Sequence, residues 1–305
     1  METDSIKGKI IKGIAGFYYV YAEDLCIYEC KAKGIFRKKN IKPQIGDNVL
    51  IDIVDESEKT GNITEIFDRK NSLIRPSVAN IDGVLIVAAL KEPSPNFLML
   101  DKLILHFKQQ KLPITICFNK DDIANEEEIK AAMSIYLNSG CEVLSASAKE
   151  ERGLDEVRKL LEGKVVSIAG PSGVGKSSII NALQSDIKME TGSISKKLGR
   201  GKHTTRHSEI IPISKDTYII DTPGFTSIDV FNMEPDELKK YYDEFFAYEK
   251  CYYAPCSHTH EPDCGVKEAL GNNLINKTRY ETYTHIYKEL KDKASSYGKK
   301  SAGYR

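Results

Sequence analysis

The residues with the plainest chemistry are Gly170-Pro171-Ser172-Gly173-Val174-Gly175-Lys176-Ser177, set directly after the apolar run Val165 to Ala169 and before a helical stretch. The spacing is G-x-x-x-x-G-K-S in the strand-to-helix context that a phosphate-binding loop needs. Glycines let the backbone curl until several N–H groups point at phosphate oxygens, and the N-terminus of the following helix adds partial positive charge. Lys176 would reach the β- and γ-phosphates and the Ser177 hydroxyl would coordinate Mg²⁺, with Ser178 counted in the same nucleotide-binding set.

A phosphate cradle does not read the base, so that task must fall elsewhere. Asn119-Lys120-Asp121-Asp122 follows the apolar run Ile114 to Phe118 and fits N-K-x-D. Guanine offers two adjacent donors, N1–H and the 2-amino group, and the single carboxylate of Asp122 can accept both. Adenine offers no such pair, so the carboxylate would be left desolvated and unmatched. Asn119 is expected to tie the loop together while the Lys120 stem lies along the face of the base. Ser147-Ala148-Lys149 resembles the S-A-K element whose backbone N–H meets guanine O6.

Asp221-Thr222-Pro223-Gly224 closes another apolar run as D-x-x-G, with Asp221 directed to Mg²⁺ through water and the Gly224 N–H to the γ-phosphate. The glycine-rich basic stretch Leu198 to His207 lies between it and the P-loop. Thr204 or Thr205 would meet Mg²⁺ there, and Thr205 is taken as the ligand. The base-reading elements precede the P-loop, the reverse of ordinary small GTPases, so the domain reads as circularly permuted. A sheet is defined by strand neighbours, which makes the permutation physically tolerable. The chain passes straight from the γ-phosphate sensor into its C-terminal segment, so nucleotide state is expected to pull on that segment.

Cys251, Cys256, His258 and Cys264 form C-x4-C-x-H-x5-C, four soft ligands suited to tetrahedral Zn²⁺. Four protein ligands leave no open position, so one structural Zn²⁺ is expected, stabilising a segment with little core of its own. His260 is an alternative to His258. Cys26, Cys30, Cys117 and Cys141 read as packing residues.

Around these motifs the elements divide into three stretches. Residues 1–72 hold short β-rich runs (Gly8 to Ile11, Ile14 to Tyr21, Cys26 to Ala32, Val49 to Val54, Asn62 to Ile66), the pattern of a small OB-fold or SH3-like barrel. Phe17, Tyr18, Tyr19, Tyr21 and Phe36, beside Arg37, Lys38 and Lys39, form either a base-stacking surface or part of the barrel core. Residues 73–230 alternate strands and helices as an α/β layer. Residues 231–305 turn helical and polar, end in lysines, and look too small for a large core, so the metal would act as a staple.

Composition bounds the rest. The 305 residues carry 44 Lys+Arg against 44 Asp+Glu, with 41% hydrophobic and 29% charged residues, which excludes whole-chain disorder and gives no summed field toward nucleic acid. Contacts to RNA must therefore come from local patches. No run approaches the roughly 18 apolar residues of a membrane span, and Met1-Glu2-Thr3-Asp4-Ser5 opens no signal peptide. A cytoplasmic protein with reduced thiols and no membrane partner is expected.

Together, an N-terminal barrel, a permuted GTPase domain and a C-terminal Cys-Cys-His-Cys cluster resemble the ribosome small-subunit-dependent GTPase A family (RsgA/YjeQ) over nearly the whole chain. The resemblance implies an OB-fold at the N-terminus, binding to the 30S subunit and its rRNA, and a role late in small-subunit maturation; a monomer is expected. It implies GTP and GDP with Mg²⁺ as ligands, and hydrolysis of GTP to GDP and phosphate stimulated by the subunit. It also carries the catalytic role onto His203, because Phe225 follows Gly224 where Ras-like enzymes place a water-orienting glutamine. The alternatives are a permuted GTPase of large-subunit assembly and an RNA-binding scaffold with negligible turnover.

Overall fold

The structure is a computed structural model that describes residues 5–38, 41–73, 77–190, 209–214, 216–221 and 233–302. The chain divides into two compact units. One comprises Met1–Leu85, Leu154–Ala169 and Lys176–Phe225, and the other Ile86–Gly153, Gly170–Gly175 and Thr226–Arg305.

The first unit begins with strands β1 (Ser5–Ile14), β2 (Phe17–Ala22), β3 (Ile27–Ala32), β4 (Asn48–Asp55) and β5 (Thr60–Ile66). They close in the order β1-β2-β3-β5-β4, with β3 parallel to β5, which is the OB arrangement rather than the SH3 one. Alternation puts Ile10, Val20, Tyr28, Cys30, Val49, Ile51 and Ile63 inside the barrel. The continuous strand expected over Ile14 to Tyr21 is instead a hairpin. Ile14 pairs with Phe17 across Ala15 and Gly16, whose φ values of 51° and 89° make the two-residue turn that matches strand twist. The aromatic set divides by the same alternation. Tyr21 and Phe36 are buried and Tyr18 packs against the core, whereas Phe17 lies 5.2 Å beneath the Lys31 ammonium and the Tyr19 hydroxyl donates to Glu29 at 3.0 Å.

The six-stranded sheet runs β10 (Glu142–Ala146), β9 (Ile114–Asn119), β8 (Gly83–Ala89), β11 (Val165–Ala169), β13 (Tyr218–Asp221), β12 (Glu209–Pro212). Every residue of β8 and β11 is buried, as a sheet covered on both faces requires. Chain order and spatial order disagree. β11, which leads into the glycine loop, is central although β8, β9 and β10 precede it in the chain.

The C-terminal segment, expected to be too small for a large core of its own, shares an apolar cluster with an earlier helix of the same unit. Leu238, Tyr242, Phe245, Val266, Ile275, Tyr283, Ile286 and Leu290 pack into a single apolar cluster with Leu105 of helix α2 (Phe97–Gln109). The helices involved are α6 (Gly265–Gly271) and α7 (Lys277–Ala302), with two 3-10 helices over Pro235–Tyr241 and Asp243–Tyr248. The segment is sufficient because α2 supplies the missing apolar face. Polar links run alongside it. Lys108 of α2 donates to Asp243 Oδ1 at 2.7 Å, to the Ser139 carbonyl at 2.7 Å and to the Tyr241 carbonyl at 3.0 Å. Arg279, 1% exposed, bonds Glu244 Oε1 at 2.7 Å and Asp101 Oδ1, with the Tyr242 ring 4.4 Å from its guanidinium. Among the described residues, no helix is long and apolar enough to cross a membrane.

Candidate nucleotide site and metal centre

The glycine loop and both base-reading loops belong to the second unit. Gly170 has φ +137°, and a Cβ there would lie 2.2 Å from the Val87 carbonyl oxygen. Gly175 has φ +95°, and a Cβ there would lie 2.1 Å from Asn119 Nδ2. The two glycines are thus demanded by backbone conformation and by space together.

Asn119, at the end of β9 and 2% exposed, is the centre of the arrangement. Its Nδ2 donates to the Val174 carbonyl at 2.8 Å, and its Oδ1 accepts from the Ala148 N–H at 3.1 Å. One buried amide therefore joins the P-loop, the N-K-x-D loop and the S-A-K loop. Asp122 is held from the third loop. Ser147 Oγ accepts the Glu150 N–H at 3.0 Å and donates to Asp122 Oδ1 at 2.8 Å, so the hydroxyl has a fixed direction. Lys149 Nζ lies 3.9 Å from Asp122 Oδ2, and the Asp122 side chain is only 11% exposed. Lys120 has φ +66° and sends its ammonium to the Glu92 carbonyl.

Two supporting groups carry no mark in the motif spacings. Arg152 bonds Asp121 Oδ1 through Nη2 at 2.7 Å and Nε at 3.2 Å, and its main chain pairs with Ser147 in both directions. Asp121 occupies the variable position of N-K-x-D, and its partner is 31 residues away, so no local pattern predicts the pair. The spacing also assigns Ser147 only a backbone role, whereas its side chain positions the Asp122 carboxylate.

In the first unit, helix α5 (Lys176–Glu190) opens with Lys176 partly buried and the Ser177 and Ser178 hydroxyls exposed at its N-terminus. Burial lowers the Lys176 ammonium from its ordinary value, opposed by the charge of Asp221 at the end of β13. A phosphate arriving there would favour the charged form further. His203, Thr205 and Gly224 lie outside the described residues.

The ligand atoms of Cys251, Cys256, His258 and Cys264 all lie within 4.8 Å of one another. Cys251 Sγ is 3.8 Å from Cys264 Sγ, and His258 Nδ1 is 3.5 Å and 3.4 Å from those two sulfurs. A regular tetrahedron with Zn–S near 2.3 Å and Zn–N near 2.0 Å has S–S edges of about 3.8 Å and S–N edges of about 3.5 Å. The donor set therefore fits a structural Zn²⁺ and assigns Nδ1 as the imidazole ligand atom. His258 is 1% exposed, whereas the His260 side chain is 71% exposed and bonds Thr259 Oγ1, which decides between the two histidines. Burial, with the neighbouring thiols adding to it, pushes the Cys256 thiol up, so metal binding must displace protons.

Comparison with known proteins agrees with this geometry. Residues 66–231 match the family described as RsgA GTPase, and residues 7–63 match the RsgA N-terminal domain. The small ribosomal subunit biogenesis GTPase RsgA of Agathobacter rectalis is 52% identical over 297 residues, covering 94% of this chain and 98% of the relative. Its counterpart from Caldanaerobacter subterraneus is 43% identical over 291 residues, covering 95% and 97%. The crystal structure of YjeQ from Thermotoga maritima superposes with a TM-score of 0.75 at 32% identity, covering 94% of this chain and 99% of that one. That of YloQ, described as a circularly permuted GTPase, gives 0.73 at 30% identity, covering 95% and 96%. A G-x-x-x-x-G-K-S loop tied by one asparagine to base-reading loops that precede it in the chain is thus matched along nearly the whole length, and this protein belongs to the RsgA family of circularly permuted GTPases, which hydrolyse GTP with Mg²⁺.

Proposed function

We propose that this chain binds the small (30S) ribosomal subunit late in its maturation and hydrolyses GTP to GDP and phosphate when the subunit stimulates it. The observation that carries the reading is the Asn119 bridge between phosphate-binding and base-reading loops, in a chain 52% identical to a small ribosomal subunit biogenesis GTPase. In this reading Asp122 accepts from guanine N1–H and the 2-amino group, and Lys176 with the loop amides holds the phosphates. Ser177 and Thr205 bind Mg²⁺, with Asp221 acting through water. Gly224 senses the γ-phosphate and His203 orients the attacking water in place of a glutamine.

Three functional segments follow: the barrel at 1–72, the GTPase domain at 73–230 and the zinc-binding domain at 231–305. The outward Phe17, with the Lys31 ammonium 5.2 Å above its ring, supports an RNA contact on the barrel, since an aromatic face and a cation suit a base and its phosphate. The protein acts as a cytoplasmic monomer.

Cosedimentation with separated ribosomal subunits tests the reading. With a non-hydrolysable GTP analogue the protein should travel with 30S and not with 50S subunits, and GDP should weaken the association. Association with 50S subunits would transfer the protein to large-subunit assembly, and association with neither would remove the ribosomal role.

A further inference from the structure

The loop from Cys256 to Thr259 carries two of the four metal ligands, and five of its backbone groups are held by side chains from outside the ligand set. Glu261 straddles the histidine. Its Oε1 accepts the Ser257 N–H at 2.8 Å and its Oε2 accepts the Thr259 N–H at 3.1 Å. The carbonyls on the same stretch are met by three further donors. Lys239 Nζ donates to Cys256 O at 3.0 Å, the Tyr283 hydroxyl to Ser257 O at 2.6 Å and the Tyr280 hydroxyl to His258 O at 2.7 Å. His258 has φ +58°, a left-handed conformation that a non-glycine residue adopts only where its surroundings enforce it. The Glu261 side chain is 12% exposed, and its main-chain carbonyl accepts from Lys267 Nζ at 2.9 Å, which holds the backbone that carries the carboxylate.

We propose that Glu261 is the positioning residue of the zinc centre, and that Tyr280 and Tyr283 make helix α7 part of the same site. The carboxylate orders the N–H groups of the residues on either side of His258, which turns the imidazole so that Nδ1 faces the sulfurs. The two tyrosines stand one turn apart on α7 and grip the opposite edge of the loop. Metal binding and the docking of α7 are then linked, and each strengthens the other by the same factor. The thiolates and imidazole bind the metal, while Glu261 and the tyrosines determine how tightly, as groups behind metal ligands commonly do.

The test uses the full chain and three variants, Glu261→Gln, Glu261→Ala and Tyr283→Phe. Zinc affinity is measured by competition with a chromophoric chelator, and the ligand field by the visible absorption of the Co²⁺-loaded protein. Glutamine turns one acceptor oxygen into a donor facing an N–H, so Glu261→Gln should bind zinc about 10- to 100-fold more weakly. Its Co²⁺ spectrum should lose the signature of a four-coordinate sulfur–imidazole site, with helix content by circular dichroism retained. Glu261→Ala should do the same more severely. Tyr283→Phe removes one hydroxyl and should weaken zinc about fivefold. Wild-type zinc affinity and Co²⁺ spectrum in Glu261→Gln would overturn the proposal, including where that variant is merely less stable. If both Glu261 variants fail to fold, unchanged zinc affinity in Tyr283→Phe overturns it.

Discussion

Ser147 donates its hydroxyl to Asp122 Oδ1 across 2.8 Å, so the S-A-K loop fixes the carboxylate of the N-K-x-D loop. One carboxylate oxygen is occupied from behind, and the orientation of the whole group is set before a base arrives. Preorganisation of this kind spares the ligand the cost of ordering the side chain.

Asp122→Asn should lower GTP affinity by about 30- to 1,000-fold, equivalent to about 2 to 4 kcal/mol, and improve binding of xanthosine triphosphate, whose C2 carbonyl accepts from the new amide. Ser147→Ala, which leaves the carboxylate in place but unoriented, should lose roughly fivefold. Titration with fluorescent guanine and xanthine nucleotides measures both. Full GTP affinity in Asp122→Asn would remove the base-reading role.

Asn119→Ala leaves the Val174 carbonyl and the Ala148 N–H without the amide that joins them. Each buried polar group that loses its partner costs about 1 to 3 kcal/mol, so stability and GDP affinity should fall together. Gly175→Ala should give the same pair of losses by pushing on the same amide, since the new Cβ would sit 2.1 Å from Nδ2. Urea unfolding with and without GDP reports both quantities. A destabilised Asn119→Ala that binds GDP normally would show that the bridge is structural only.

Arg279 is buried between Asp101 and Glu244 and is the only cation bonded to either among the described hydrogen bonds. Arg279→Met should cost about 3 to 5 kcal/mol, because two carboxylates remain buried without a counter-charge. Replacing all three by apolar residues of similar volume should recover most of that loss. Denaturant midpoints at constant slope decide it, and an additive sum of single-site losses in the triple variant would contradict the coupling.

Asp24 gives the barrel a pH dependence. Burial raises its carboxyl, but the Cys26 N–H at 3.0 Å, the Tyr28 hydroxyl at 2.8 Å and the Lys59 charge outweigh burial and hold it below its ordinary value of 3.8. A depressed folded-state value contributes stability above the unfolded-state value and loses it as pH falls through the folded one. Acid unfolding below about pH 4 should therefore be shallower in Asp24→Asn than in the wild type. Parallel acid limbs for the two proteins would contradict the assignment.

Legibility followed sequence distance. The P-loop, N-K-x-D, S-A-K and the four metal ligands are local spacings that can be read along the chain without the fold. The barrel was legible as alternating runs, but Ala15-Gly16 was not, because a two-residue turn inside Ile14 to Tyr21 leaves apolar residues on both sides. The link between Arg279 and Asp101 spans 178 residues, so no local pattern marks either charge. Lys108 and Glu261 escape for the same reason, since their partners, the Asp243 carboxylate among them, are brought within reach only by the fold. The choice between His258 and His260 likewise needed the loop geometry, as both fit a ligand spacing.

The most direct test of the account is steady-state phosphate release from GTP by the purified protein alone, with 30S subunits and with 50S subunits. Turnover alone should be slow, because Phe225 stands where a water-orienting glutamine is otherwise found, and it should rise on the order of 10²-fold or more with 30S subunits and not with 50S subunits. His203→Ala should abolish the rise while leaving 30S binding intact. Equal turnover in all three reactions would contradict the account.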